Sequence, residues 1–234
     1  MLATLSTRKA TTADIPFLVR IEYEASLPPF NHCFWEDLLE GTGTTALQFI
    51  EAELRGNASN WGNVADFLIL EAEGKPVAAA SGYVPDTEDY CPLPLSCLEA
   101  IAQELNWSTE NLTVFRDRYL ALWGGDVRLF FLTPQATWII ESVAVLPEAR
   151  GRGFGKALLK ALLDEGRSQQ HDFAGIMVIN GNDVARHTYE SIGFKPSPVK
   201  VTFLQSLKVW QWKHVDAEGH TLEDLSSSLE HGYV

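Results

Sequence analysis

The chain of 234 residues is 46% apolar and 21% charged, which fits one large or two small globular domains and excludes disordered and fibrous classes. A net charge of −13 makes nucleic acid a poor partner, because its phosphates need a basic footprint. No apolar run approaches the roughly 18 to 20 residues of a membrane span, and the first thirteen residues lack the apolar core of a signal peptide.

Residues 4–10 read as a short strand. Thr11 to Asp14 then cap a helix through Phe17, Leu18, Ile21 and Tyr23, which Pro28-Pro29 breaks. An aromatic stretch follows (Phe30, His32, Phe34, Trp35), and a second helical pattern covers 46–54. Residues 67–72 and 77–83, joined by a Glu73-Gly74-Lys75 turn, predict a β-hairpin. Residues 84–136 read as an insertion with two helices, one opened by a Ser96/Glu99 capping box and one over 111–123. An apolar strand, 137–146, ends at Pro147. A turn over 151–155 leads into a helix with apolar residues at 158, 159, 162 and 163. A second buried strand covers 173–179, and a helix capped by Asn182 runs to about Ile192 and stops at Gly193. Strands at 199–204 and 207–212 close the domain (1–213), and 214–234 form an acidic tail.

The charge is uneven along this plan. Residues 36–110 carry a net −12, with only Arg55 and Lys75 against 14 acids, whereas 111–213 carry a net +4. A phosphate-bearing ligand should therefore dock in the second segment, and the acidic segment favours a cationic one.

The turn Arg150-Gly151-Arg152-Gly153-Phe154-Gly155 sits between a strand and a helix. Glycines there let backbone approach a ligand, and the first amides of the helix lack partners, so the turn suits a pyrophosphate. Arg150, Arg152 and Lys156 add positive charge. A P-loop fails twice, since Ala157 follows Lys156 and position 150 is Arg. A dinucleotide fingerprint fails because the glycines alternate strictly, and the next strand ends at Asn180 rather than at an acid.

Val145-x-Pro147-x-x-Arg150-x-x-Gly153-x-Gly155 instead resembles the acetyl-coenzyme A signature of the GNAT N-acetyltransferase superfamily. Asn182-x-x-Ala185-x-x-x-Tyr189-x-x-x-Gly193-Phe194 matches the family's second motif. Together they cover about residues 137–195. The resemblance implies an α/β (α+β) fold with a mixed, mostly antiparallel central sheet flanked by helices. It implies that the strands at 137–146 and 173–179 splay apart around the pantetheine arm, with backbone of Val143, Ala144 and Val145 pairing to it. Amides of Arg152, Gly153, Phe154, Gly155 and Lys156 would hold the pyrophosphate, with Arg150, Gly151, Asn182 and Arg186 beside them.

The implied activity is direct transfer of acetyl from acetyl-CoA to a primary amine, with a small cationic acceptor favoured by the acidic segment and no metal. Tyr189 is by family analogy the general acid that protonates the departing thiolate. Glu141, the only acid in an apolar strand, is the candidate general base. Alternatives are a CoA-binding sensor without turnover, a protein N-terminal or lysine acetyltransferase, and an interaction protein recruiting through the insertion and tail. A homodimer through the insertion is a further possibility. His32 fits an aromatic core cluster better than acceptor selection, and His187 reads as exposed. The remaining histidines show no metal spacing, and Cys33, Cys91 and Cys97 fit neither a disulfide framework nor a zinc site. The expectation is a cytoplasmic protein with reduced thiols and no membrane association.

Overall fold

The computed structural model describes residues 4–88, 90–123, 134, 136–199 and 230–233. Among these, the strands are β1 (Leu5–Lys9), β2 (Phe67–Ala72), β3 (Lys75–Tyr83), β4 (Trp138–Val145), β5 (Ala174–Ile176), β6 (Pro196–Val199) and β7 (Glu230–Tyr233). They form one sheet in the order β1-β2-β3-β4-β5-β7-β6. Every neighbouring pair is antiparallel except β4 and β5, which run parallel. The β2–β3 hairpin turns at Glu73 and Gly74, with φ of 54° and 74°, the paired left-handed conformation that matches the twist of a two-residue hairpin.

The helices are α1 (Ile15–Ser26), α2 (Phe34–Leu39), α3 (Ala46–Gly56), α4 (Leu98–Glu104), α5 (Thr109–Trp123), α6 (Phe154–Ser168) and α7 (Asp183–Glu190). A capping box of Thr11 and Asp14 opens the turn before α1, which buries Ile15, Leu18, Val19 and Ile21. Arg8 fastens that turn to the sheet, reaching Asp14 and Glu71 at 2.7 Å each. Its guanidinium holds the Asp14 carboxyl well below the usual carboxylate range. Thr45 and Gln48 form the box that starts α3, and Asn57 ends it with φ 50°. Helix α6 buries Phe154, Leu158, Leu159 and Leu162 and packs on β2, β3 and β4, while α1 packs on β3, β4 and α3.

The segment expected as an insertion shares the core rather than hanging from it. Trp35 of α2, Phe49 of α3 and Phe115 of α5 pack with ring centroids 4.6 and 5.0 Å apart, and Trp107 joins Phe115 at 5.2 Å. Tyr119 of α5 accepts from the Leu93 amide at 3.0 Å and donates to the Leu93 carbonyl at 2.7 Å. One feature of this layer costs stability. Glu53 on α3 is 2% exposed, and burial together with the charge of Glu22 on α1 pushes its carboxyl well above the usual range. Glu22 is pushed up to about 8 by burial.

Several sequence expectations need correction. Helix α2 lies inside the aromatic stretch, where no helix was expected. Ser96 does not cap α4, because a 3-10 turn, Leu95–Cys97, precedes the helix. Helix α5 starts two residues early, where Ser108 Oγ accepts from the Asn111 amide at 3.1 Å. Strand β5 is three residues long instead of seven, and Phe173 before it is 67% exposed. Beyond Val199, the strands expected at 199–204 and 207–212 lie outside the described residues. Within the expected acidic tail, Glu230–Tyr233 forms β7, hydrogen-bonded between β5 and β6.

Candidate active site

The site grows from an irregularity in β4. Opposite β3, Ala144 pairs with Ala79 and Glu141 with Ser81, so β4 carries one extra residue across that interval. The extra residue sits at Ser142, whose φ of 53° is a left-handed conformation. Such a bulge bends its strand and sharpens the twist. On its other side β4 pairs with β5 only from Trp138–Ala174 to Ile140–Ile176, and there the ladder ends. Strand β4 continues to Val145 without β5, leaving Val143, Ala144 and Val145 beyond the last β4–β5 pair.

The glycine turn follows directly. Gly151 and Gly153 have φ of 76° and 79°, and a Cβ at either would meet nothing within 4 Å. Backbone conformation, not space, requires glycine at both. Gly153 is the N-cap of α6 and has no side chain to cap with; the first helical bond runs from the Ala157 amide to the Gly153 carbonyl. The amides of Phe154, Gly155 and Lys156 therefore point out of the helix end, where its dipole favours an anion. Lys156 is exposed beside them, and the Arg152 guanidinium lies 4.7 Å from the Phe154 ring centroid. Arg150 is already engaged: Nε donates to the Val145 carbonyl at 3.0 Å and Nη2 meets Glu24 of α1 at 2.7 Å. It ties the loop to β4 and α1.

Helix α7 supplies the other wall. The Asn182 side chain accepts from the Ala185 amide at 3.3 Å, as expected of its cap role. Arg186 pairs with Asp183 through Nη2 at 2.8 Å, and its buried Nε has no partner among the described residues. Tyr189 is 7% exposed and packs on Phe194 with centroids 6.1 Å apart. Burial first, and then the charge of Glu141, push its phenol above the ordinary value near 10, so it keeps its proton at neutral pH. Pro29, in the α1–α2 loop, lies near Gly181, where a Cβ would sit 3.5 Å from it. That contact brings the aromatic stretch to the entrance of α7. In that stretch, His32 meets Glu36 at 2.9 Å and Asp37 at 3.0 Å, whereas Trp35 belongs to the core.

Glu141 lies at the start of the divergence. Glu141 is half-buried, and burial pushes its carboxyl up to about 8 against the lowering effect of a hydrogen bond from Tyr90. The Tyr90 hydroxyl donates to Oε1 at 3.4 Å and accepts from Tyr83 at 3.4 Å. No ion pair forms at Glu141 among the described residues. Neither tyrosine was foreseen, and no spacing marks them, because Tyr90 lies in an irregular acidic loop and Tyr83 ends a hairpin strand. Cys33 is buried, and burial pushes its thiol up, which removes it as a nucleophile. His187 is exposed, with Nδ1 2.7 Å from the Asp183 carbonyl. Among the described residues no group of His, Cys, Asp and Glu could hold a metal ion, and no helix is long and apolar enough to cross a membrane.

The sequence profile of the Acetyltransferase (GNAT) family matches residues 34–194. No curated protein matches the chain significantly. Among solved structures, an N-acetyltransferase from Staphylococcus aureus Mu50 is 18% identical, covers 97% of this chain and 98% of its own, and superposes with a TM-score of 0.55. SsHAT is 15% identical over 87% of this chain and 95% of that one, with a TM-score of 0.53. At these identities the likeness is one of fold.

Proposed function

The chain belongs to the GNAT acetyltransferase family, and from that premise we propose that it moves acetyl from acetyl-CoA directly to a primary amine of a small cationic molecule. The observation that carries this reading is the meeting of two features at one place. The outward amides of α6 adjoin the end of β4 that β5 leaves, and Glu141 and Tyr189 interact electrostatically there. The residues fit the co-substrate. The α6 amides with Arg152 and Lys156 suit a pyrophosphate, Asn182 and Arg186 stand on the facing helix, and Val143, Ala144 and Val145 offer backbone to the pantetheine amides. The unpaired Nε of Arg186 is a donor awaiting an acceptor.

A thioester supplies an already activated acetyl carbonyl, so alignment accounts for much of the rate. The amine sets the remaining barrier. A lysine-like amine titrates near 10.4, so its neutral form costs about 4.6 kcal/mol at pH 7. Glu141 takes the amine's proton as nitrogen attacks the acetyl carbon. Tyr189, still protonated, gives its proton to sulfur as the carbon–sulfur bond breaks. No covalent enzyme intermediate is needed. The net −12 of residues 36–110 favours a cationic acceptor by long-range attraction.

The test is acetyl transfer from isotopically labelled acetyl-CoA into a panel of polyamines, aminoglycosides, amino acids and peptides, read by mass spectrometry. Labelled product on a small cationic amine is the expected result. Labelling confined to peptides would overturn the acceptor class, and tight acetyl-CoA binding with no labelled product would favour a sensor.

A further inference from the structure

We propose that Tyr90 is a positioning residue for the transfer reaction: it holds the Glu141 carboxylate in place to receive the amine's proton, and Tyr83 braces it from behind. The proposal rests on the reading of Glu141 as the base. It adds to the catalytic apparatus a residue outside the two motifs, from the segment expected as an insertion.

The arrangement is a short chain of buried hydroxyls. The Tyr83 hydroxyl donates to that of Tyr90, and Tyr90 donates to Glu141, each at 3.4 Å. Tyr90 is 2% exposed and Tyr83 6%, and with Ile139 they form an apolar cluster separate from the main core, with Trp61 packed against it. A phenol in such a place must spend its proton on a partner, because water does not replace a lost bond there. Glu141 is that partner.

Glu141 needs such help. Its charge is felt by Tyr83 on β3, by Tyr90 in the β3–α4 loop and by Tyr189 on α7. From α1, Glu24 is bound to Arg150 and Glu22 forms no hydrogen bond to Glu141. Across the ladder, Ser81 Oγ lies 3.0 Å from the Trp61 carbonyl and 3.2 Å from the Glu141 backbone carbonyl, and bonds neither carboxyl oxygen. Among the described residues no cation offsets the carboxylate, so the donated hydrogen bond of Tyr90 is what opposes burial. Tyr90 also fixes the carboxyl's rotamer, which orients the second oxygen.

Carbon-13 labelling of glutamate carboxyls makes the test independent of the acceptor. The Glu141 signal is assigned by its loss in Glu141→Gln and titrated by NMR. The expected midpoint is about 8 in the native protein. In Tyr90→Phe it moves up by about one pH unit, equal to about tenfold less carboxylate at neutral pH. Tyr83→Phe moves it in the same direction by less. An unmoved midpoint in folded Tyr90→Phe overturns the proposal. If Tyr90→Phe does not fold, an unmoved midpoint in Tyr83→Phe does so. With an acceptor in hand, the acid limb of the kcat/KM profile should follow the midpoint, while a loosening of structure would lower the profile at every pH. Full activity in Glu141→Gln would instead remove the base reading itself, an outcome distinct from failure of Tyr90 alone.

Discussion

Gly153→Ala separates the two things the glycine turn does. A Cβ at Gly153 meets no heavy atom within 4 Å, so the whole cost lies in φ, which at 79° is left-handed. For an L residue that conformation costs about 1–2 kcal/mol, partly offset by the smaller entropy of the unfolded chain, leaving a loss of about 1 kcal/mol. In a chain of this size that lowers Tm by about 2–4 °C. Binding should suffer more than stability. Relief of the strain rotates the peptide that aims the first amides of α6, and each hydrogen bond to a charged phosphate is worth about 1.5–3 kcal/mol. Affinity for acetyl-CoA should therefore fall at least about tenfold, read by isothermal titration beside scanning calorimetry. Gly155→Ala is the control. Gly155 lies inside α6 with an ordinary φ, its Cβ would stand 3.7 Å from Val145 and 3.9 Å from Thr188, and helix propensity gains up to about 1 kcal/mol. Its Tm should hold or rise. Unchanged acetyl-CoA affinity in Gly153→Ala, with the expected fall in Tm, would refute the anion cradle.

The catalytic pair gives two further predictions. Because Glu141 titrates near 8, kcat/KM should rise about tenfold per pH unit below that value and level off above it; Glu141→Gln should abolish the rise while leaving acetyl-CoA affinity intact. Tyr189→Phe keeps the packing on Phe194, so Tm should change little while kcat falls by about 10²–10⁴, and a retained kcat would exclude the general-acid role. Arg152→Ala and Lys156→Ala should each weaken acetyl-CoA binding at low salt, with the difference shrinking at molar salt, where exposed charges are screened. The buried carboxyls predict a pH dependence of stability. Glu22, Glu53 and Glu141 all have folded-state values raised above the unfolded ones. The stability they contribute is full below the ordinary carboxyl range and is lost as pH rises above it, toward about 8 for Glu22 and Glu141, at up to about 1.4 kcal/mol per unit per group. Calorimetry from mildly acidic to mildly basic pH should show Tm falling, and Glu141→Gln should fall less steeply; a flat profile would mean that folding does not raise these carboxyls.

What was legible in the sequence is what short-range chemistry writes there. The Thr11–Asp14 box, the Glu73-Gly74 hairpin, the apolar stripe of α6 and the Asn182 cap are each decided within four residues, and each appears in the structure. The alternating glycines and the second motif pointed to the family and so to the sheet. Contacts made across the chain were illegible. Helix α2 hides in the aromatic stretch because Phe34 and Trp35 read as an irregular cluster until Phe49 and Phe115 arrive from α3 and α5 to bury Trp35. The short β5 and the place of Glu230–Tyr233 beside it follow from strand pairing, which carries no local signature. Tyr90 is legible only once β3 and β4 bring Glu141 beneath it.

Several breaks of local rules gather around one region, although Asn106 and Gln170 also take left-handed φ, and the buried Trp61 Nε1 also lacks a partner among the described residues, elsewhere in the fold. An acid stands in an apolar strand at Glu141, a non-glycine takes φ 53° at Ser142, a helix starts uncapped at Gly153, and a buried guanidinium nitrogen goes unpaired at Arg186. Each costs stability, and each lies on β4 or an element beside its divergence from β5. A fold selected for stability alone would place Gln or Val at 141. The Glu22–Glu53 pair also lies outside that region, between α1 and α3. The same logic marks it as a second site of retained cost, and Glu53→Gln offers the direct comparison. Its effect on stability should have the same sign as that of Glu141→Gln as pH rises, and any effect on turnover would join the α1–α3 layer to the acceptor side of the reaction.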